Sequence, residues 1–311
     1  MDQINYSQYR TYHLSTPDGL ITNDNKILNM SRFFELDKNN QLRGVQYIAS
    51  INELDCFINI ISTLENFDLA YDDYVLLKIA SANNAYDILR YLIQNSVDVT
   101  ACNNVAIKIV IWNTCCFSID IIERMLVMLI ENGADIHVDN DFLLQQSIKN
   151  QKLETIKILV QYGANIHTNN LLRIVYEHID QNILQYLIDS GMPIDPISLP
   201  DIIKKCIYKN SQVFQNNRYR GIIKILLPYC IDYSDIFHPN VLINAIKSGS
   251  FKLVKLLTDY GADFSTLNTV PIRNNDKMSN FLLTNGLDPL QLTVILSKPL
   301  NYNGSYDYLN D

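Results

Sequence analysis

Apolar residues recur along this chain at the three-and-four spacing of amphipathic helices, and one short phrase cuts the pattern at intervals. Ile156, Leu159 and Val160 share a face ahead of Gly163, as Val254 and Leu257 do ahead of Gly261 and Leu184, Leu187 and Ile188 ahead of Gly191. Faces of this kind have to be buried. The glycine that follows them supplies the left-handed backbone that closes a helix, a geometry costing a residue with a Cβ about 1 kcal/mol or more. An Ala, an Asp or Asn, and a β-branched or aromatic residue then lead into an extended, polar tip.

Ile130-Glu131-Asn132-Gly133-Ala134-Asp135-Ile136 is the fullest copy of the phrase, echoed at Gly163 and Gly261, more weakly at Gly191 and Gly286, and in degenerate form around Ser96 and Cys230. From Ser96 to Gly286 these seven positions follow one another at steps of 25 to 39 residues. Alignment on the phrase sets Leu143, Leu144, Ser147 and Ile148 over Val241, Leu242, Ala245 and Ile246, with Leu76, Leu77 and Ala80 in a third unit. The small residues at 80, 147 and 245 let two helices approach closely. A single helix pair cannot hide its own apolar faces, so each unit must stack on the next. The pattern predicts an all-α solenoid of about six to seven helix-turn-helix units with extended tips. Residues 56–297 are expected to hold the array, residues 1–55 a small mixed segment with a hairpin around Pro17-Asp18-Gly19, and residues 298–311 a disordered tail. Insertions at Asn113 to Ser118 and Ser211 to Arg220 fall between first and second helices, and Leu290 to Leu296 are expected to form a last covering helix.

These residues resemble ankyrin repeats, whose period is ~33 residues. The likeness covers roughly residues 70 to 290 and is strongest from 139 to 170 and from 239 to 268, where Asn240-Val241-Leu242-Ile243-Asn244-Ala245-Ile246-Lys247-Ser248-Gly249 leads to Tyr260-Gly261-Ala262-Asp263. The family's Thr-Pro-Leu-His helix opening is replaced by Phe142-Leu143-Leu144-Gln145 and by Asn240-Val241-Leu242-Ile243. With its bias toward Asn, Ile and Tyr, the chain is similar to the ankyrin proteins of mimivirus-type giant viruses. The segment from Gly44 to Leu54 is similar to a short motif in the N-terminal parts of those proteins.

Composition narrows the chemistry. The 311 residues are 48% hydrophobic and carry a net charge of -8 with no basic stripe, which argues against nucleic acid as a partner. The N-terminus lacks the basic start and apolar core of a secretory signal, and the apolar runs from Val105 to Trp112 and Ile119 to Ile130 fall short of the ~20 residues a membrane span needs. Six cysteines without zinc spacing suggest reduced thiols in a cytoplasmic setting, a host cell's if the protein is viral.

No phosphate cradle, metalloprotease, nucleophile-elbow or kinase motif is present, so a non-catalytic chain without a cofactor is expected. His137 and His167 occupy the same place in successive units and could align as metal ligands. The lack of a third ligand in register favours solvated loop residues. Cys115-Cys116 has no neighbouring cation to activate a thiol and reads as structural. Phe214, Arg218, Tyr219 and Arg220 mix aromatic and basic residues as protein recognition does, but read first as a loose, tolerated loop, and Trp112 reads as an anchor of the fold.

The ankyrin resemblance implies a monomeric protein-interaction scaffold whose tips and exposed first-helix sides meet a host or viral protein partner. Expected contacts at the tips are Thr100, His137, Asp139, His167, Thr168, Asn169, Asp195, Tyr233 and Ser265, with Gln145, Lys149 and Arg173 behind them. An alternative is a substrate adaptor for a ubiquitin ligase, as some viral ankyrin proteins are through a C-terminal F-box-like segment. Only Leu287 to Leu300 is available for it, less than the ~40 residues such a helical module requires.

Overall fold

The computed structural model describes residues 30–115, 118–168, 171–178, 180–212, 218–268, 270–273 and 276–295. The chain divides into two compact units, residues 1–168 and 169–311. In the first, α1 (Met30–Glu35) precedes four helix pairs: α2 (Lys38–Ser50) with α3 (Leu54–Thr63), α4 (Tyr71–Ala82) with α5 (Tyr86–Gln94), α6 (Ala101–Trp112) with α7 (Ile119–Glu131), and α8 (Val138–Lys149) with α9 (Leu153–Gln161). First helices stack in the order α2, α4, α6, α8, and second helices in the order α3, α5, α7, α9. Residues 30–35 and 38–50, within the segment expected from sequence to be mixed, are helical. The Pro17-Asp18-Gly19 hairpin lies outside the described residues.

The two kinds of helix differ in pattern because they differ in surroundings. A first helix sits between its neighbours and its own partner, so Val75 to Ala82 of α4 and Val105 to Ile111 of α6 are buried without a break. A helix apolar all round is stable only where every side is covered. A second helix buries one stripe: Ile88, Leu89 and Leu92 in α5, Ile122, Met125, Leu126 and Leu129 in α7, Ile156 and Leu159 in α9. The small residues Ala80, Ser147 and Ala245 are wholly buried, where each lets a neighbouring helix come close.

The closing phrase forms a left-handed cap. Gly133 has φ +98° and Gly163 +95°, and the amides of Ala134 and Ala164 reach back to Leu129 O and Leu159 O at 3.0 and 2.8 Å. This is the six-to-one bond of a Schellman ending, and Ser96 makes the same turn at φ +65° despite its Cβ. After α3, which closes with Leu64 extended, Asn66 is left-handed at φ +55° with Asp68 two residues on, which marks this loop as one more, looser copy ahead of those visible in sequence.

Side-chain amides stitch the pairs together. Asn113, at the end of α6, donates to Ser81 O and Ala82 O of α4 at 3.3 and 3.0 Å, and Asn150, at the end of α8, donates to Ile111 O of α6 at 3.2 Å. Asn52 Oδ1 accepts from the amides of Asp87 and Ile88 at 3.0 and 3.2 Å, capping α5 from the pair before it.

The second unit pairs α10 (Leu171–His178) with α11 (Gln181–Asp189), α12 (Leu199–Gln212) with α13 (Arg218–Leu226), and α14 (Pro239–Lys247) with α15 (Phe251–Asp259). First helices again stack in the order α10, α12, α14, and α13 lies on α11. Cys230 has φ -75°: after α13 the chain makes a 3-10 turn, Leu227–Tyr229, and no left-handed closure forms. Beyond α15 come β1 (Val270–Arg273), α16 (Asp276–Thr284), a 3-10 turn at Pro289–Gln291 and β2 (Leu292–Ile295).

β1 rests on α14 where another first helix would stand, which is why the last step of the repeat is short. β2 runs parallel to β1 with Val270 opposite Leu292. Where a helix is expected from Leu290, a 3-10 turn ends at Gln291 and residues 292–295 form a strand. Thr293, Val294 and Ile295 are β-branched and find in β1 a partner for their backbone groups.

Candidate protein-binding surface

The Asp or Asn of each phrase turns the tip by accepting a hydrogen bond from the amide two residues on. Thr100 N donates to Asp98 at 2.9 Å, His137 N to Asp135 at 2.8 Å, His167 N to Asn165 at 2.9 Å, Ser234 N to Asp232 at 2.8 Å and Ser265 N to Asp263 at 2.9 Å. A short side-chain acceptor can stand in for a backbone turn in this way. Pro193 occupies that place after Gly191, and the role passes to Asp195, which accepts from Ile197 N at 3.0 Å and Ser198 N at 3.1 Å. These amides hold the Asp195 and Asp232 carboxyls below the usual range, as the hydroxyl and then the amide of Ser265 do for Asp263.

Three first helices of the first unit open with a left-handed turn. Its residues are Asp72-Asp73-Tyr74, Cys102-Asn103-Asn104 and Asp139-Asn140-Asp141, with φ between +50° and +62°. All but Tyr74 and Cys102 are Asp or Asn, the residues that bear this conformation best after glycine. Polar contacts tie the three turns into a ladder. Asp73 takes Lys78 Nζ at 2.6 Å and Cys102 Sγ at 3.1 Å, while Asp139 takes Lys108 Nζ at 2.6 Å and Asn103 Nδ2 at 3.0 Å. Asn104 Oδ1, buried, accepts from Asp135 N at 2.7 Å. The lysine hydrogen bonds, ahead of those from Cys102 and Asn103, hold the carboxyls of Asp73 and Asp139 below their ordinary value.

Sequence reasoning missed Lys78 and Lys108. Their signal is a lysine ending each of two equivalent apolar runs, Val75-Leu76-Leu77-Lys78 and Val105-Ala106-Ile107-Lys108. Gln145 takes the same place in α8 and donates to Asn140 O at 2.8 Å.

Several expected contact residues are thus held by their own chain. Asp139 belongs to the ladder, and Thr100 Oγ1 donates to Asp98 at 2.7 Å. His137 Nδ1 lies 2.7 Å from Asp141 Oδ1. Tyr233 donates to Leu227 O at 3.1 Å and stacks on Phe237 at 5.3 Å, and burial raises its pKa. Lys149, His167, Arg173 and Ser265 are exposed, with Arg173 3.8 Å from Glu177, and Thr168 is half-buried. Asn169, Cys116 and Phe214 lie outside the described residues. Trp112, 40% exposed, ends α6. Among the described residues no cluster of three or more His, Cys, Asp or Glu could hold a metal, and no helix is long and apolar enough to cross a membrane.

No family model matches the chain. An ankyrin repeat protein of Acanthamoeba polyphaga mimivirus is 30% identical over 239 residues, covering 75% of this chain and 72% of its own. A second from the same virus is 24% identical over 285 residues, covering 88% and 72%. A solved ankyrin repeat domain from Acinetobacter baumannii aligns with 59% of this chain and 96% of its own at 19% identity and a TM-score of 0.44. The first relative is 30% identical and shares most of both lengths, so the chain belongs to the ankyrin repeat proteins.

Proposed function

We propose that this chain is a non-catalytic scaffold that binds a host or viral protein through its tips and the exposed sides of its first helices, in the cytoplasm of an infected cell. The observation that supports this most is the division of labour at the tips. Recurrent Asp and Asn side chains fix the tip backbone from within, which leaves exposed side chains such as His167 at a tip, and Lys149 and Arg173 along first helices, able to vary without touching the core. Cys56, Cys102, Cys206 and Cys230 are free thiols, in keeping with a reducing setting. The ligase-adaptor alternative draws no support from residues 287–295, where the elements are a 3-10 turn and a strand, not the helices of an F-box-like module.

Affinity capture from host-cell lysate tests the reading when the full chain is compared with a variant carrying Lys149→Glu, His167→Ala and Arg173→Glu. A protein retained by the first and lost by the second, with thermal unfolding unchanged, is the expected result. Equal retention by both chains would remove these residues from the surface.

A further inference from the structure

In the second unit, a cleft of about 350 Å³ opens at the end of the helix pairs opposite to the tips, where α14 turns into α15. Its charged lining is entirely cationic: Arg220 from α13, Lys252 from α15 and Lys277 from α16. That is a local reversal of sign in a chain whose net charge is -8. Lys252 and Lys277 are exposed and make no ion pair among the described residues.

The floor is preorganised. Phe251 packs edge-on against Phe281 at 5.1 Å, and Lys277 Nζ lies 4.5 Å from the centre of the Phe251 ring, which holds the ammonium over the cleft. Leu253 N at the start of α15 is already taken by Ser250 Oγ at 3.4 Å, so the positive charge of the cleft comes from the side chains.

We propose that this cleft is a second docking site, for an acidic segment of a partner polypeptide whose carboxylates pair with Lys252 and Lys277. The proposal rests on the reading of the chain as a protein binder and adds to it a surface separate from the tips. Charge complementarity selects the occupant: two exposed lysines on a lining with no acidic residue favour a run of Asp or Glu and repel a basic segment.

Fluorescence anisotropy of a labelled oligo-glutamate peptide with the purified full chain tests it at low salt. Binding should weaken about tenfold in Lys252→Gln/Lys277→Gln, the effect of losing two exposed ion pairs, and should fade with added salt. The charge-matched control Lys38→Gln/Lys157→Gln should bind as the parent does. Undiminished binding in the cleft variant, an equal loss in the control, or no binding by the parent would each overturn the proposal. Tip-dependent capture of a partner persisting alongside any of those results would remove the cleft alone and leave the scaffold standing.

Discussion

Lys108 of α6 and Asp139 of α8 belong to neighbouring repeats and meet at 2.6 Å, with 5% of the lysine side chain and 32% of the aspartate exposed. Removing the carboxylate would strand a cation inside the stack. Asp139→Asn should cost about 1 to 2 kcal/mol, less than the loss of a fully buried pair because water reaches Asp139. Lys108→Met/Asp139→Asn should recover most of that loss, and urea unfolding of the four chains of the cycle measures the coupling. Purely additive effects would show that the pair does not hold the repeats together.

Gly133 and Ser96 form the same left-handed cap with and without a side chain. Nothing lies within 4 Å of a Cβ built on Gly133, so Gly133→Ala probes backbone strain alone and should cost about 1 to 2 kcal/mol. Ser96→Gly should gain up to about 1 kcal/mol, since relief of strain outweighs the extra freedom of the unfolded chain. Shifts of the urea midpoint in these opposite directions check both.

Asn52 caps a helix of the next pair, and its own φ of +59° suits glycine. Asn52→Gly keeps the backbone and deletes the cap; loss of the hydrogen bonds, about 1 kcal/mol, is partly offset by relief of left-handed strain, for a net cost of a few tenths of a kcal/mol. Hydrogen exchange at the Asp87 and Ile88 amides should speed up in this variant. Unchanged exchange would deny the cap any role.

Asp139, Asp195, Asp232 and Asp263 titrate below their ordinary range. A carboxyl whose folded pKa lies below its unfolded value of ~3.9 stabilises the fold fully above that pH, and the contribution is lost as pH falls through the folded value. The thermal midpoint should therefore stay level from about pH 7 to 5 and drop steeply below about pH 4. A midpoint that held its value at low pH would contradict the bonds drawn to these groups.

Cys206 is wholly buried, and desolvation pushes its thiol up to about 12. Because the thiolate is the reactive form, alkylation at about pH 8 should spare Cys206 in the folded chain and modify it after denaturation. Peptide mapping by mass spectrometry reads the difference.

Much of this architecture is legible in the residues. The glycines at 133, 163 and 261 and the small residues at 80, 147 and 245 fall where the structure needs them, because each meets a local steric demand that few residue types satisfy. The pair α2 and α3 escapes notice because Asn66 and Phe67 replace the Gly-Ala of the phrase; Asn tolerates the left-handed turn but does not advertise it. The left-handed triplets are hidden for a similar reason: runs such as Cys102-Asn103-Asn104 read as ordinary loop, and only the ladder of partners in the next repeat holds them in place. Val270 to Arg273 could not be recognised as a strand from local pattern, since its pairing partner lies beyond α16. At the tips, which side chains serve the chain itself and which are left for others depends on bonds that sequence does not display.

The stitches made by Asn113 and Asn150 also bear on how such a chain can change length. Each amide reaches one repeat back and no further, and the two occupy equivalent places. Excising residues 114–150 would leave Asn113 on its old carbonyls and deliver α9 as the new neighbour of α6. A cut of any other length would put the wrong group opposite those carbonyls. Gain or loss of whole repeats is thus the mode of growth and shrinkage that this hydrogen-bond pattern permits.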